Sequence, residues 1–329
     1  MDRFTRRSAL GISSLLMGAG ALAAWSWRWR LQALLPPPVP TPHVDATFVR
    51  LDLPPRRAGA VTGSELVRAV AEIHPKAREQ RIGEELLAGN VPDFERQLVP
   101  VELRIEGHTA VARVMPDYLA IGTDDDFVRV PMTPMTAQRV ADAAGCVLPT
   151  SHLVDAVHAA ARIKLPTAHI PLDPDGGTSQ DFATHQRLIQ EVLAKEHLRP
   201  GELVAGHKKD VVITPRMLAE PGRVAIYGMH QPDGTPLQML SLVHILEYLD
   251  YSHGVRLVAS SIQVDGRERA IRNVMRDPTL SALVSDEGPF ELPRYAPASE
   301  GVVPHAVRAL SPETLAPKPA ESHGGGGGG

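Results

Sequence analysis

The stretch HILEYLDYSHGVRLV, residues 244–258, places His244, Tyr248, Asp250, Tyr251 and His253 within ten positions. Two upstream segments, GHKKDVVI (206–213) and YGMH (227–230), add His207, Lys208, Lys209, Asp210, Tyr227 and His230. Imidazole titrates near neutrality, so it can take a proton and return it within one catalytic cycle, and as a neutral ring it ligates zinc. Two chemistries follow. In the first, His244 is a general base, Asp250 orients it, and His230 and His253 stabilise a transition state. In the second, His230, His244 and His253, with Asp210 or Asp250, hold a zinc ion that keeps one position open for water. No HExxH pair or similarly tight ligand spacing is present. Tyr227, Tyr248, Tyr251 and Lys209 would contact substrate, and Lys208 with Lys209 would suit an anionic one. A reading without chemistry is a set of hairpin turns carrying hydrogen-bonded polar residues.

Backbone conformation discriminates between these. If 244–252 is extended, His244 and Asp250 are an even number of residues apart and share a face. If it is helical, six residues turn them roughly 240° apart. Leu242, Ile245, Leu246 and Leu249 allow a helix. Tyr248, Tyr251 and the valine-rich run after Gly254 favour a strand that enters a turn at Ser252–His253–Gly254.

Cys146, in AAGCVLPTSHLVD, is the single cysteine, so neither an intrachain disulfide nor a cysteine zinc cluster can form. The order Cys146, His244, Asp250 resembles that of papain-like and transglutaminase-like thiol enzymes and gives an alternative nucleophile. Those enzymes start a helix at the cysteine. Here Leu148 and Pro149 intervene, and the preceding helix ends on Cys146 with a partial charge that opposes thiolate. A buried structural cysteine is the favoured reading. In LDPDGGTSQDF, Asp173, Asp175, Ser179 and Asp181 alternate like half of a calcium loop, but Thr178 and Thr184 stand where an EF-hand needs glycine and glutamate. Asp124–Asp125–Asp126 reads as a solvated turn.

The elements that must position these residues are of two kinds. Residues 63–97 read as helix, with Ser64 as cap and Leu66, Val67, Val70 and Ile73 on one face. Residues 98–133 alternate apolar and polar, with turns at Glu106–Gly107 and Gly122–Asp126, as antiparallel strands do. Helices follow at TAQRVADAAG, at SHLVDAVHAAARI and near Phe182–His197. Strands return over 202–265, with Pro232–Asp233–Gly234 and Asp265–Gly266 closing hairpins. The expected class is α+β: an antiparallel sheet with segregated helices in one main domain, 44–296, whose C-terminal strands form one sheet.

With 329 residues and a net charge of −4, the chain has no general field for nucleic acid, and its body carries no basic run interleaved with aromatics. Its opening, MDRFTRRSALGISSLLMGAGALAAW, has a basic lead and an apolar run from Ala9 to Ala24, as export signals do, and TRRSAL is similar to the twin-arginine motif. Residues 1–24 are then a cleaved signal or a retained anchor. Trp25, Trp27 and Trp29, alternating with Arg28 and Arg30, suit a membrane interface. Residues 25–43 lead through a proline-rich linker, and 297–329 form a Pro/Ala/Gly tail. The expected location is exported, periplasmic or extracytoplasmic, with membrane contact only through the N-terminal segment.

The segments PDYLAIGTDDDFVRVPMTPMTAQRVADAAGCVLPT, GHKKDVVI and DYSHGVRLV are similar to a family of exported bacterial proteins, over roughly residues 63–290. The resemblance implies a shared fold and carries no activity or catalytic residue with it. The residues themselves point to a cell-envelope hydrolase of an amide or glycosidic polymer, peptidoglycan being the nearest such substrate. The alternatives are a thiol amidase built on Cys146 and His244, and a non-catalytic module binding glycan or protein through Tyr227, Tyr248 and Tyr251.

Overall fold

A computed structural model describes residues 49–168, 170, 177–197, 199 and 201–296. The export segment, the proline-rich linker, Asp173, Asp175 and the tail lie outside the described residues. The chain divides into two units, residues 1–43 and 44–329, and all the described residues belong to the second.

The described residues fold as α+β. The first five helices each begin where a threonine or a proline can serve the first turn. Thr62 caps α1 (Gly63–Ala69) in a capping box with Glu65. Pro75 opens α2 (Pro75–Leu87), Pro134 opens α3 (Pro134–Ala143) and Thr150 caps α4 (Ser151–Ala160). Thr178 and Asp181 form a second capping box on α5 (Ser179–Lys195), and α6 spans Ile271–Arg276. The helix expected over 63–97 is therefore broken. A turn at 70–74 and Pro75 separate α1 from α2, because the residue before a proline is pushed out of helical conformation. Ser64 is not the cap; its amide and hydroxyl both donate to Asp126, which ties the start of α1 to the acidic turn.

The first sheet runs β1 (Val99–Ile105), β2 (His108–Val114), β12 (Val258–Val264) and β13 (Arg267–Ala270), with β5 (Cys146–Val147) also pairing β12. A second sheet runs β10 (Pro236–Ser241), β9 (Ala225–His230), β8 (Lys209–Val212) and β11 (His253–Gly254). Two-stranded pairs form from β3 (Ala120–Gly122) with β4 (Phe127–Arg129), and from β6 (Ile163–Lys164) with β7 (Val204–Ala205). The turns at Glu106–Gly107, Pro232–Gly234 and Asp265–Gly266 close hairpins as the sequence predicts.

The C-terminal strands do not form one sheet. β12 returns across about 150 residues to lie between β2 and β13, while β11, four residues earlier, pairs in parallel with β8. The segment DYSHGVRLV thus crosses from one sheet to the other. Its crossing is pinned by the buried Arg256, whose Nη1 and Nη2 donate to the carbonyls of Met115 and Val204, each at 2.6 Å, with the guanidinium 4.6 Å from the Tyr118 ring centre. Gly254 is needed at that point. A Cβ there would sit 2.6 Å from the Tyr118 ring and 2.9 Å from Lys208 Cβ.

Candidate functional site

The pairing of β8 with β9 and β11 builds the site. Lys209 lies opposite Gly228 on one side and His253 on the other, and Asp210 lies opposite Tyr227 and Gly254. Directly paired residues share a sheet face, so Lys209 and His253 are on one face and Asp210 and Tyr227 on the other.

On the first face the polar groups converge around Asp250. Its Oδ1 accepts from the Ser252 amide at 2.7 Å and from the Ser252 hydroxyl. Its Oδ2 accepts from the Tyr248 hydroxyl at 3.2 Å and lies 3.5 Å from Lys209 Nζ. Burial alone would raise this carboxyl, but His253, Ser252 and Lys209 outweigh it and hold Asp250 down at about 2. Tyr248 is shifted the other way, by its own burial and by Asp250, and stays a proton donor at neutral pH. Its ring stacks on His244, with centroids 3.8 Å apart and planes 11° apart, and meets His253 edge-on at 5.6 Å. His253 is fully buried, and neither ring nitrogen has a hydrogen-bond partner. Burial lowers it to about 4, so it is a neutral imidazole at pH 7.

Segment 244–252 is neither the expected strand nor a helix. It is a run of turns touched by a single bridge, Arg223 to Ile245, so no alternation brings His244 and Asp250 face to face. No hydrogen bond joins them; Tyr248 stands between, stacked on one and donating to the other. Asp250 therefore orients Tyr248 and Lys209 rather than His244.

His230 belongs to a different cluster. Its Nε2 is 2.7 Å from Asp155 Oδ1, and Tyr227 donates to both oxygens of the same carboxylate at 2.9 and 3.1 Å. His158, one turn on from Asp155 along α4, stacks on His230 at 4.7 Å and leaves a buried Nε2 unpartnered. Gly228 and Met229 both have positive φ, 105° and 53°, and Met229 is strained there because a side chain disfavours that region. Asp210 accepts from Tyr118 at 2.7 Å, keeps a second oxygen unpartnered, and is raised to about 6 by burial.

The zinc set His230, His244, His253 and Asp210 is consequently not assembled. Its members are divided between the two sheet faces and between different partners, and among the described residues no group of three or more His, Cys, Asp or Glu could hold a metal ion. Cys146 is placed as the buried structural cysteine that its sequence context favours. It is 2% exposed in β5, its thiol donates to the Ala144 carbonyl, and burial followed by nearby Asp52 pushes it up to about 12. The three-tyrosine surface also fails. The Tyr251 hydroxyl is occupied by the backbone of Ile170, and that of Tyr227 by Asp155, which leaves Tyr248 half-buried at the rim.

Lys208, expected beside an anionic substrate, and His207 are buried instead, while Asp117, Arg129, His185, Asp155 and His158 had no role in the sequence reading. Behind the site, Lys208 is 2% exposed and makes one hydrogen bond, from Nζ to the Tyr251 carbonyl at 2.6 Å; burial lowers it to about 7. His207, lowered by burial to about 4, has both nitrogens unpartnered, with Nε2 3.3 Å from Asp117 Oδ1 but outside hydrogen-bond geometry. Asp117 pairs with Arg129 at 2.5 and 3.1 Å, and Arg129 and His207 hold it well below the usual carboxylate range against its burial. His185 sits on the Tyr251 ring at 5.2 Å, with Nε2 unpartnered. The available signals were slight: four consecutive polar residues, HKKD, at the head of an apolar strand, and Asp155 with His158 at i, i+3 in a helix whose other residues after His152 are apolar.

No family model matches this chain, and neither the curated proteins nor the solved structures contain a match to it.

Proposed function

We propose that the chain is an exported hydrolase of the cell envelope, acting on an amide or glycosidic polymer through the His253 face. The observation that supports this reading most is His253 itself: a neutral imidazole, buried without a partner on either nitrogen, beside an ionised Asp250. Unpaired buried polar atoms are rare in folded proteins and persist where something else is gained. In this reading His253 takes a proton from water as the hydroxide oxygen bonds to the electrophilic carbon. Asp250 stabilises the imidazolium that forms. On an amide, Lys209, held by Asp250, donates to the oxyanion that develops on the carbonyl; on either bond the Tyr248 hydroxyl protonates the leaving atom as the bond breaks. His244, stacked on Tyr248 at the half-buried rim, forms a wall for the substrate. The export-type opening of the sequence supports the location, and the resemblance to exported bacterial proteins agrees with it.

The test is release of reducing ends and of free amines from peptidoglycan sacculi. His253→Gln should lower kcat/KM by roughly 10²–10⁴-fold, the range for loss of a general base, with the circular dichroism spectrum unchanged. Cys146→Ser should leave the rate within about twofold. Loss of activity in the cysteine variant, or full activity in the histidine variant, would overturn the assignment; a wild-type protein that releases neither product would overturn the substrate class.

A further inference from the structure

Only five large apolar side chains are exposed among the described residues, and four of them lie within nine positions: Leu237, Met239, Val243 and Ile245, at 48, 67, 73 and 54%. Along β10 burial alternates, with Leu237 and Met239 on the outward parity, and the apolar row continues through the turn that follows. β10 is the outermost strand of its sheet. Scattered apolar residues need no explanation, but a contiguous row on one edge marks a surface that meets something apolar.

We propose that this row docks on a lipid bilayer. A second copy of the chain would use the free edge of β10 for strand pairing, but that edge opens on Pro236 and is kinked by a bulge between Gln238 and Ser241, the devices that discourage strand addition. Exposed Arg223 stands beside the row, with Nη1 donating to the Val243 carbonyl at 2.8 Å, and supplies a cation at the level of lipid phosphates. The chain length is also suitable. Twenty-four residues separate the apolar run ending at Ala24 from Val49, enough to span at most about 80 Å, so a body tethered by that run can lay any face on the same membrane. The inference does not need the hydrolase reading. If both hold, His244, flanked by Val243 and Ile245, opens toward the bilayer surface.

The experiment uses the full-length chain on phosphatidylglycerol/phosphatidylcholine vesicles containing spin-labelled lipid. A bimane fluorophore is attached at Met239→Cys or, as control, at Glu268→Cys on exposed β13; buried Cys146 does not compete for label. The expected result is at least twofold more lipid-dependent quenching at 239 than at 268. Introducing Val243→Glu and Ile245→Glu should abolish that excess while the protein remains on the vesicles through its N-terminal segment. Equal quenching at both positions, failure of the wild-type chain to bind vesicles, or burial of the 239 label that grows with protein concentration in the absence of lipid would each overturn the proposal, the last in favour of a second copy.

Discussion

Replacing Lys208 with methionine isolates the cost of the desolvated amine behind the site. Methionine keeps the unbranched apolar stem and removes the charge. In the native state burial takes Lys208 from the free-lysine value of 10.5 to about 7. Between those two values the unfolded chain binds a proton that the native chain does not, so this group makes stability rise with pH across that window. Below about 7 both states are protonated and the full cost of burying the charge is present, about 5 kcal/mol for a displacement from 10.5 to 7 at 1.36 kcal/mol per pH unit. By pH 9 most of the native chains carry a neutral amine, and about 2 kcal/mol of that cost remains. Lys208→Met should therefore gain most over wild type at pH 6, with the gap narrowing by roughly 2–3 kcal/mol by pH 9. Loss of the hydrogen bond to the Tyr251 carbonyl adds a penalty of about 1 kcal/mol that shifts the whole curve without changing its slope. Urea unfolding followed by circular dichroism at pH 6, 7, 8 and 9 reads the difference, since groups common to both proteins cancel. With a slope near 3 kcal/mol/M, the separation of midpoints should change by just under 1 M over that range. A separation that stays constant with pH, or widens as pH rises, would refute the reasoning.

Arg129→Met leaves Asp117, 2% exposed, as an unpaired buried carboxylate, and should destabilise by about 3–5 kcal/mol in thermal or urea unfolding; adding Asp117→Leu should restore most of the loss. Gly206→Ala should cost at least about 2 kcal/mol, because φ is +102° and the new Cβ would lie 2.6 Å from the Leu165 carbonyl oxygen, whereas Gly107→Ala, with φ of +78° and open space around it, should cost about 1 kcal/mol in the same assay.

What the sequence revealed followed from local rules, and what it hid depended on long-range pairing. The hairpins at Glu106–Gly107 and Asp265–Gly266 were readable because the turn residues and the alternation on either side agree within a dozen positions. The parallel pairing of His253 with Lys209, and the return of β12 to β2, join segments far apart in the chain and leave no periodic trace. The same distinction explains the site. His244, Tyr248, Asp250 and His253 come together as their clustering in sequence suggests, yet the roles proposed from face-sharing failed, because 244–252 folds as turns and the contact passes through Tyr248. His230 was grouped with them by residue type alone. Its real partner is Asp155, on a helix 75 residues earlier.

The polar interior argues that this seam between the sheets is more than structural. His158, His185, His207 and His253 each bury at least one ring nitrogen without a partner, and Lys208 buries a charge on one hydrogen bond. A fold that needed only to pack here would gain stability from apolar side chains of the same size, since unsatisfied buried polar groups cost about 1–3 kcal/mol each. The surrounding positions show that the chain can do so: Val211, Val212 and Ile213 continue directly from HKKD and are fully buried. Buried polar residues occur elsewhere too, Glu95 with one oxygen unpartnered among them, but His207, Lys208, Asp210, His230, Ser252, His253 and Arg256 gather where β8, β9 and β11 meet the crossing segment. Such a gathering of unsatisfied polar groups, with valines and an isoleucine directly alongside, is the pattern expected of a site kept for its chemistry.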